Sequence, residues 1–481
     1  MARTQPLSPK GFPDTYGPAA RARAQLIARL QEAWYAQGFD PLETPAVETV
    51  DALGAFLPDT DRPKGGVFAF ATEDDGWLAL RYDLTAPLAR FYAANQATLP
   101  RPFKRSAVGS VWRNDKPGPG RLRQFTQCDV DVVGTANPDA DADVLEAICD
   151  GLDALGLLPY CSVRVSDRRL LDAALDAAGV APDSRIDVAR ALDAVGKIGP
   201  QGVRDRLENG RTDASGAFTP GLGLPPATVD TLLAFLAVPA TNDIAAGMAA
   251  VETLLPASGA AVAALSTVLE RANSGSAAGK LVLDPSIVRG MAYYTGMVFE
   301  IVLDAPLADA KGRPMSIGAL GGGGRYDGLV RRFTGQDVPA VGGSIGFDRA
   351  LIAMERLGLL PSTTSDLVVV AQLPGTAPGL TRSVARTLRA AGLRAEACVG
   401  NVSSPGTQLK YADARGAALA VLVGGTEWEQ GLVCVKDLAL GRALATGATR
   451  EGWLARPAQT TVPFADLVGT LRAALDGEGG A

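Results

Sequence analysis

The sequence of 481 residues predicts an α+β protein: a mixed antiparallel sheet with helices, a mostly helical insert and a small C-terminal α/β domain. Residues 102–134 have the pattern of two antiparallel strands around a turn rich in Gly, Pro, Asn and Asp. From about residue 168 to 284 the composition shifts to Ala, Leu, Asp and Val at helical period. From about residue 365 to 445 apolar strands alternate with helices, which is typical of a small α/β domain.

The first predicted element is a helix over residues 19–37, because apolar side chains recur there at helical spacing and Gly38 stands where a C-cap would. The recurring residues are Leu26, Ile27, Leu30 and Trp34. Residues 39–50 contain Pro41 and Pro45, which predict an extended segment.

The remaining elements follow from the same periodicities. In the first 361 residues we predict a helix starting near Thr85, a helix over 138–155, strands over 161–167 and 297–303, and a strand entering a helix over 341–357. In the C-terminal domain we predict strands over 367–371, 419–423 and 432–435, helices over 376–391 and 405–415, and a last helix after Pro463.

The chain contains no histidine. Ser-His-Asp triads, Cys-His pairs and His-zinc sites are therefore excluded. Any catalysis must depend on Arg, Lys, carboxylates, Tyr and backbone dipoles.

Composition limits the remaining classes. The formal net charge is −6, so nucleic-acid binding would need a local basic patch. The five cysteines have no Cys-x-x-Cys spacing, which predicts reduced thiols in a cytosolic protein rather than zinc ligands or disulfides. The N-terminus predicts no signal peptide. The longest uncharged apolar stretch, 253–269, is broken by Pro256 and Gly259 and is short for a membrane span.

Arginines on predicted strands are the first chemical signal. Arg113, Arg121 and Arg123 flank the flexible turn 114–120, and guanidinium groups can bind phosphate in a bidentate manner. Each arginine taken alone could equally be a surface ion-pair residue.

Carboxylates, amides and glycines give the second signal. Asp83, Gln127 and Asp131 could accept hydrogen bonds from an ammonium or another N–H donor. The run 321–324 consists of four glycines, which let a planar ligand approach the backbone. Taken alone, the glycine run would more often be a mobile linker. Tyr293-Tyr294 alone would more often be core residues, and Gln127 with Asp131 alone would more often lie on a solvated strand face.

Together these segments resemble the class II aminoacyl-tRNA synthetases and, among them, the histidyl-tRNA synthetases, over about residues 8–445. Three segments resemble the class motifs: Pro45 with its preceding helix, Arg113 to Asp131, and Gly346-Phe-Asp-Arg349. Two more resemble blocks peculiar to the histidyl enzymes: Arg289-Gly-x-x-Tyr-Tyr294 and Gly323-Gly-Arg-Tyr-Asp-Gly328. The C-terminal segments 408–413 and 435–438 resemble their anticodon-binding domain.

The resemblance implies a site that joins ATP to histidine. Arg113 would hold the α-phosphate, Arg349 the γ-phosphate, and Phe125 would stack on adenine, supported by Arg121 and Arg123. The residues implied for the α-amino end of histidine are Asp83, Thr85 and Gln127. Asp131 and Tyr294 would bind the imidazole nitrogens, and Tyr326 would line the same pocket. Arg289 would contact the carboxylate and the α-phosphate opposite Arg113.

The implied reaction forms histidyl-adenylate and pyrophosphate from histidine and ATP, then transfers histidine to the terminal ribose of tRNA(His). This chemistry needs positioning and charge stabilisation rather than a proton-transfer base, so a chain without histidine can perform it. The implied partners are ATP with Mg²⁺, L-histidine, tRNA(His) and a second copy of the chain in a homodimer. We expect no zinc, no membrane association and a cytoplasmic location.

Two positions depart from the family pattern. An acidic residue commonly precedes the two tyrosines, but Ala292 stands there, which puts the orientation of Arg289 in doubt. The motif 2 turn has few long side chains apart from Lys116, so the acceptor end of the tRNA could be recognised differently.

Two alternatives remain open at this stage. One is the regulatory paralogue that partners ATP phosphoribosyltransferase, which shares the fold but typically lacks the anticodon-binding module and several active-site residues. The other is a generic ATP-dependent ligase, which explains neither histidyl block.

The predicted domains follow the same comparison. The catalytic domain would span residues 1–167 and 285–361, interrupted by a helical insertion domain over 168–284. The anticodon-binding α/β domain would span 362–457, and a tail with a short helix would span 458–481.

Overall fold

The computed structural model describes residues 5–53, 66–74, 76–118, 120–213, 216–288, 294–361, 366–399, 404–438, 440–441 and 458–476. The chain divides into two compact units, Met1–Pro361 and Ser362–Ala481.

The N-terminal unit is built around one large sheet. Its first part contains α1 (Gly17–Ala36), β1 (Asp40–Pro41), β2 (Val47–Thr49), α2 (Val50–Leu53), β3 (Ala69–Thr72), β4 (Gly76–Leu80), α3 (Thr85–Asn95), β5 (Phe103–Trp112), β6 (Gln124–Val133), α4 (Pro138–Ala154) and β7 (Cys161–Asp167). The insert contains α5 (Arg168–Ala177), α6 (Arg185–Leu192), α7 (Val195–Leu207), β8 (Gly210–Thr212), β9 (Phe218–Pro220), α8 (Pro226–Leu236), α9 (Ile244–Leu254), α10 (Gly259–Ala272) and β10 (Leu281–Leu283). The last part contains β11 (Met297–Leu303), β12 (Leu307–Ala308), β13 (Pro314–Met315), β14 (Gly321–Arg325), α11 (Arg331–Thr334), β15 (Ala340–Gly346) and α12 (Phe347–Leu357).

Helix α1 forms where the apolar repeat predicts it. Leu26, Leu30 and Trp34 are buried on one side of the helix, and Gly38 just beyond its end has a φ of 80°. The indole Nε1 of Trp34 donates to the carbonyl of Ala147, 2.7 Å away. This hydrogen bond joins α1 to α4 beneath the sheet.

The described part of the sheet has eight strands in the order β1-β5-β6-β15-β14-β11-β7-β10. The two outermost pairs, β1 with β5 and β10 with β7, are parallel, and the pairs between them are antiparallel. Strand β6 shows how the sheet divides its faces: Cys128 and Val130 point into the core, while Gln127 and Asp129 point to the other side. A mixed antiparallel sheet with helices is the fold predicted from the sequence.

The four-glycine run is strand β14 inside this sheet, so its interpretation as a mobile linker is wrong. A Cβ on Gly321 would lie 2.0 Å from the carbonyl oxygen of Ser344, and one on Gly323 would lie 2.1 Å from that of Gly342. Only glycine allows β14 to approach β15 this closely.

The helical insert packs onto the sheet. Its buried apolar residues, among them Leu171, Val188 and Leu232, belong to the same continuous hydrophobic cluster as the lower face of the sheet. The apolar stretch 253–269 is divided between α9 and α10. Among the described residues, no helix has the length and apolar character needed to cross a membrane.

The C-terminal unit contains β16 (Val368–Gln372), α13 (Leu380–Ala390), β17 (Ala395–Ala397), α14 (Pro405–Ala414), β18 (Leu419–Val423), α15 (Gly425–Glu429), β19 (Leu432–Asp437), β20 (Gln459–Pro463) and α16 (Leu467–Asp476). Its described strands have the order β17-β16-β18-β19-β20, with β16 parallel to β17 and β18. The structure differs from the predicted boundary at residue 458. Strand β20 pairs with β19, and Leu467 and Leu471 of α16 are buried in the unit's core, so the segment predicted as a tail packs as part of the α/β unit.

Candidate active site

A cavity of about 280 Å³ opens on the face of the large sheet opposite α1 and α4. Its wall is formed by β6, β14 and β15, the loop between β5 and β6, and the start of α12. The residues predicted from sequence that line it are Asp83, Thr85, Arg113, Arg121, Phe125, Gln127, Asp131, Tyr294, Tyr326 and Arg349. Ten side chains from separate parts of the sequence therefore meet at one place.

Arg289 lies outside the described residues, together with 290–293. Among the described residues, Arg123 is the predicted site residue that does not line the cavity. The Nε of Arg123 donates to the backbone carbonyl of Asp115 at 3.0 Å, and its stem lies against Gly11. In this position Arg123 supports the loop between β5 and β6.

Arg113 lies between two aromatic rings at one end of the cavity. Its guanidinium carbon is 4.3 Å from the ring centre of Tyr82 and 5.2 Å from that of Phe125. Its Nε donates to the carbonyl of Tyr82 at 3.2 Å. These contacts hold the guanidinium plane at the cavity, where its other N–H groups can meet an anion.

Arg349 closes the same end from α12. Its Nε donates to the carbonyl of Gly120 at 3.0 Å, and its Nη1 donates to that of Ala319 at 2.7 Å. The neighbouring Asp348 accepts from the backbone N–H of Thr126 at 2.6 Å and pairs with Arg23 of α1 at 2.8 Å. Asp348 thereby fixes the first turn of α12, and with it Arg349, against β6.

Arg121 is the most exposed of the predicted arginines that the structure describes. Its side chain is 58% exposed and pairs with Asp115, with 2.9 Å between Nη2 and Oδ2. An ion pair this exposed is weak, so the guanidinium can exchange Asp115 for another anion.

A fully buried ion pair forms the other end of the cavity. The Nη2 of Arg105 lies 2.7 Å from the Oδ2 of Asp131 and donates to the carbonyl of Leu84 at 3.1 Å. The hydroxyl of Tyr326 donates to the other oxygen of Asp131. Burial raises the pKa of Asp131, and Arg105 and the Tyr326 hydrogen bond oppose that rise.

Asp129 is a second buried carboxylate here that the sequence prediction missed. It lies between Gln127 and Asp131 on the same face of β6, 2% exposed. Burial raises its pKa to about 7, against the opposing effects of Arg105 and of a hydrogen bond with Ser344. The sequence contained a signal for Asp129, because residues two apart on a strand lie on the same face of the sheet, as Gln127 and Asp131 do.

Asp83 has a structural task besides lining the cavity. Its Oδ1 accepts from the backbone N–H groups of Thr85 at 3.1 Å and Ala86 at 2.9 Å, as an N-terminal cap does. One of its carboxylate oxygens is thus used to start α3.

A charged cluster holds the residues that neighbour Tyr294 and Tyr326 in the chain. Arg325, next to Tyr326, pairs with Asp141 of α4 and, at 3.2 Å, with Asp327. The other oxygen of Asp327 accepts from the hydroxyl of Thr295 at 3.0 Å. Thr295 follows Tyr294 in the chain, so this hydrogen bond holds the residue beside that tyrosine.

Space for a ligand beside Asp131 depends on glycine. A Cβ on Gly342 would lie 1.9 Å from Oδ1 of Asp131 and 2.9 Å from the hydroxyl of Tyr326. Any larger residue would therefore displace both polar groups.

Comparison with known proteins identifies the family to which the chain belongs. The family model described as histidyl-tRNA synthetase matches residues 11–350, and the model described as anticodon binding domain matches residues 367–473. The chain belongs to the histidyl-tRNA synthetase family. The family prediction made from the motifs is therefore confirmed, and with it the assignment as a class II aminoacyl-tRNA synthetase.

Members of the histidyl-tRNA synthetase family resemble the chain over nearly its full length. The histidine–tRNA ligases of Ruegeria sp. (strain TM1040) and Paracoccus denitrificans are each 46% identical to it. The alignments cover 98% of this chain with 97% of the first relative and 98% of the second. The crystal structure of histidyl-tRNA synthetase from Nostoc sp. PCC 7120 superposes with a TM-score of 0.73 at 25% identity, covering 98% of this chain and 100% of that one.

The described residues hold no cluster of three or more Cys, Asp or Glu side chains arranged to bind a metal ion. Their five cysteines are all free, and burial raises the pKa of Cys149 and of Cys161 to about 12.

Proposed function

We propose that the chain activates histidine with ATP, forming histidyl-adenylate and pyrophosphate, and then transfers histidine to the 3′-terminal ribose of tRNA(His). The observation that carries the proposal is the polarity of the cavity. Arg113, Arg121 and Arg349 stand at one end, while Asp129 and Asp131 are buried at the other. Such a site suits a polyphosphate at the first end and a cationic, N–H-rich amino acid at the second.

At the phosphate end we assign Arg113 to the α-phosphate and Arg349 to the γ-phosphate of ATP. Phe125 is assigned to adenine stacking, with Arg121 and Arg123 supporting the nucleotide and the loop. Arg289 is assigned to the substrate carboxylate and α-phosphate, opposite Arg113. The backbone carbonyls that accept from Arg113 and Arg349 support these roles, because they hold each guanidinium at the wall of the cavity.

At the amino-acid end, Asp83, Thr85 and Gln127 are assigned to the α-amino group of histidine. Asp131 and Tyr294 are assigned to the imidazole nitrogens, with Tyr326 holding Asp131. A buried site that hydrogen-bonds both imidazole nitrogens rejects amino acids without them, because its own polar groups would remain unpaired.

The chain's residues act through charge and position. In the first step a carboxylate oxygen of histidine attacks the α-phosphorus and pyrophosphate leaves, so negative charge must be stabilised on the phosphoryl oxygens. Guanidinium groups held in advance by carbonyls stabilise that charge without reorganisation. Mg²⁺ bound to ATP would supply charge neutralisation for the leaving pyrophosphate. We propose no role for zinc.

We assign tRNA binding to the C-terminal unit, whose match to an anticodon-binding model supports the synthetase over the regulatory paralogue. We further propose that the chain acts as a homodimer in the cytoplasm and without a membrane. For the domains, we propose that residues 1–167 and 285–361 form the catalytic domain and that residues 168–284 are a helical insertion in it.

Purified protein should catalyse histidine-dependent exchange of pyrophosphate into ATP. The expected activity requires Mg²⁺ and persists after zinc is removed by chelation. The measurement is radiolabel exchange with each of the twenty amino acids offered separately. Exchange with another amino acid but not with histidine would contradict the proposed function.

A chain ending at Pro361 should retain pyrophosphate exchange but lose most of its tRNA charging. The physical reason is that the two units have separate hydrophobic cores and that the cavity lies within the first. The loss should appear as an increased KM for tRNA, and the tRNA affinity of the full chain should fall steeply with salt as phosphate contacts release counterions. Charging by the truncated chain at full efficiency would show that residues 362–481 do not bind tRNA.

A further inference from the structure

Three buried carboxyl or amide oxygens around the amino-acid end of the cavity have no hydrogen-bond donor among the described residues. They are Gln127 Oε1, Asp129 Oδ1 and Asp131 Oδ2. For Asp131, the 2.7 Å approach of Arg105 is an ion pair without hydrogen-bond geometry. Buried acceptors are normally paired, so Gln127 Oε1 and Asp129 Oδ1, which have neither a hydrogen bond nor an ion pair among the described residues, indicate donors supplied by a ligand.

Ser344 determines how two of these acceptors are oriented. The amide nitrogen Nε2 of Gln127 donates to the Ser344 hydroxyl oxygen at 3.1 Å. Ser344 also lies opposite Asp129 in the pairing of β15 with β6, and it lowers the pKa of Asp129. Since Nε2 is turned toward Ser344, the carbonyl oxygen of Gln127 is the atom left for the ligand, on the same side as Asp129.

The buried charges of this region do not balance. Arg105 is 0% exposed and Arg81 is 9% exposed, and both interact with Asp129. Three carboxylates face these two cations, because Asp83 acts on both Asp129 and Asp131, which are each 2% exposed. An unpaired buried charge is costly, which favours a bound cation beside Asp129.

We propose that Asp129 is a further substrate-binding residue that accepts a hydrogen bond from the α-ammonium group of the amino acid, with Ser344 as the residue that positions both Asp129 and Gln127. The inference rests on the proposed function and adds a residue to it. Asp129 suits this role better than its neighbours: Asp83 gives one oxygen to the start of α3, and Asp131 is engaged by Arg105 and Tyr326.

The protonation of Asp129 agrees with this geometry. Its carboxyl faces Arg105 of β5, Arg81 just after β4, Asp131 of β6 and Asp83 at the start of α3, and burial raises its pKa to about 7. A proton therefore partly neutralises Asp129 at neutral pH when no other cation is near. An ammonium group would replace that proton, so amino-acid binding near pH 7 should release a proton that is absent when Asp129 is replaced.

The test compares ligands that differ only in the group Asp129 is proposed to bind. The variants are Asp129→Asn, which keeps the shape and removes the charge, and Ser344→Ala; the control is Asp187→Asn, an exposed carboxylate paired with Arg190 in the insert. The ligands are histidinol, which has the amine but no carboxylate, and imidazolepropionate, which has the carboxylate but no amine. Calorimetry gives each Kd and, in buffers of different ionisation enthalpy, the protons released.

In Asp129→Asn we expect the Kd of histidinol to rise about 10- to 100-fold, the size typical of a hydrogen bond to a charged group. The Kd of imidazolepropionate should stay unchanged or fall, since a negative charge has been removed. Ser344→Ala should show the same ligand pattern with a smaller loss, and Asp187→Asn should match the parent.

Equal weakening of both ligands would mean that Asp129 only maintains the pocket, and no weakening of histidinol would mean that it does not meet the amine; either result overturns the inference. Binding of imidazolepropionate shows that each variant has a folded pocket. Histidine-dependent exchange by the parent protein tests the proposed function separately, so failure of one is distinguishable from failure of the other.

Discussion

Replacing Arg113 with alanine is expected to slow adenylate formation by about 10²–10³-fold, the usual cost of removing one preorganised donor to a developing negative charge. The guanidinium is held by the carbonyl of Tyr82 and by the rings of Tyr82 and Phe125, so it stabilises charge without having to be ordered during the reaction. The loss should appear in single-turnover rates at saturating ATP and histidine, because the assigned contact strengthens in the transition state.

Two further variants show what the Arg113 result means. Arg113→Lys keeps a positive charge but loses the planar, bidentate group, so we expect it to recover only part of the rate. Arg190→Ala removes an exposed arginine of the insert and should leave the rate unchanged. A single-turnover rate near that of the parent in Arg113→Ala would show that this arginine does not act on the reacting phosphate.

The sequence predicted much of the fold because the relevant elements follow one dominant periodicity. The strands predicted over 161–167 and 297–303 have these bounds in the structure. Apolar and polar residues alternate in the first, and the second is a short, almost continuous apolar run. The glycine run could not be predicted as a strand from its local sequence, because β14 is defined by its close approach to β15. That approach is a tertiary contact that composition does not encode. Strand β20 likewise depends on pairing with the distant β19.

The site could be predicted only where side chains occur in recognisable motifs. Arg105 lies outside any motif, and a charged residue on a strand is normally exposed, so its burial against Asp131 becomes visible only when β5 and β6 pair in register. Ser344 belongs to the site because it lies opposite Asp129 in the pairing of β15 with β6. Asp129 itself was within reach, because strand alternation places it with Gln127 and Asp131.

Replacing Arg105 with methionine is expected to destabilise the N-terminal unit by about 3–5 kcal/mol, the cost of leaving a buried charge without its partner. Methionine fills a similar volume with an unbranched chain, so the effect reports charge rather than a cavity. Two carboxylates, Asp129 and Asp131, would remain in the same buried region without the cation that Arg105 provides. The measurement is calorimetric unfolding of the full chain. The transition to compare is that of the N-terminal unit, which is recognised as the one that substitutions within residues 1–361 shift.

The pH dependence of this deficit has a definite sign. Burial already raises the pKa of Asp129 and Asp131 in the folded chain, and Arg105 opposes that rise, so its removal raises both values further. A carboxyl whose pKa is higher in the folded state binds more protons there than in the unfolded state. Stability therefore falls as pH rises from the unfolded pKa toward the folded one, and the deficit of Arg105→Met should be larger at pH 8 than at pH 5.

The double variant Arg105→Met/Asp131→Asn isolates the buried pair. If the cost of Arg105→Met comes from an unpaired carboxylate, replacing Asp131 with asparagine should recover a large part of the roughly 3–5 kcal/mol expected for breaking such a pair. The stability of the double variant should then correspond to that seen when a buried ion pair is replaced as a unit. Tyr326 can still donate to the amide oxygen of the new asparagine, so the hydrogen bond at that position is preserved. A double variant no more stable than Arg105→Met alone, with the same deficit at pH 5 and pH 8, would show that Arg105 stabilises the unit through its packing and its bond to Leu84 rather than through charge.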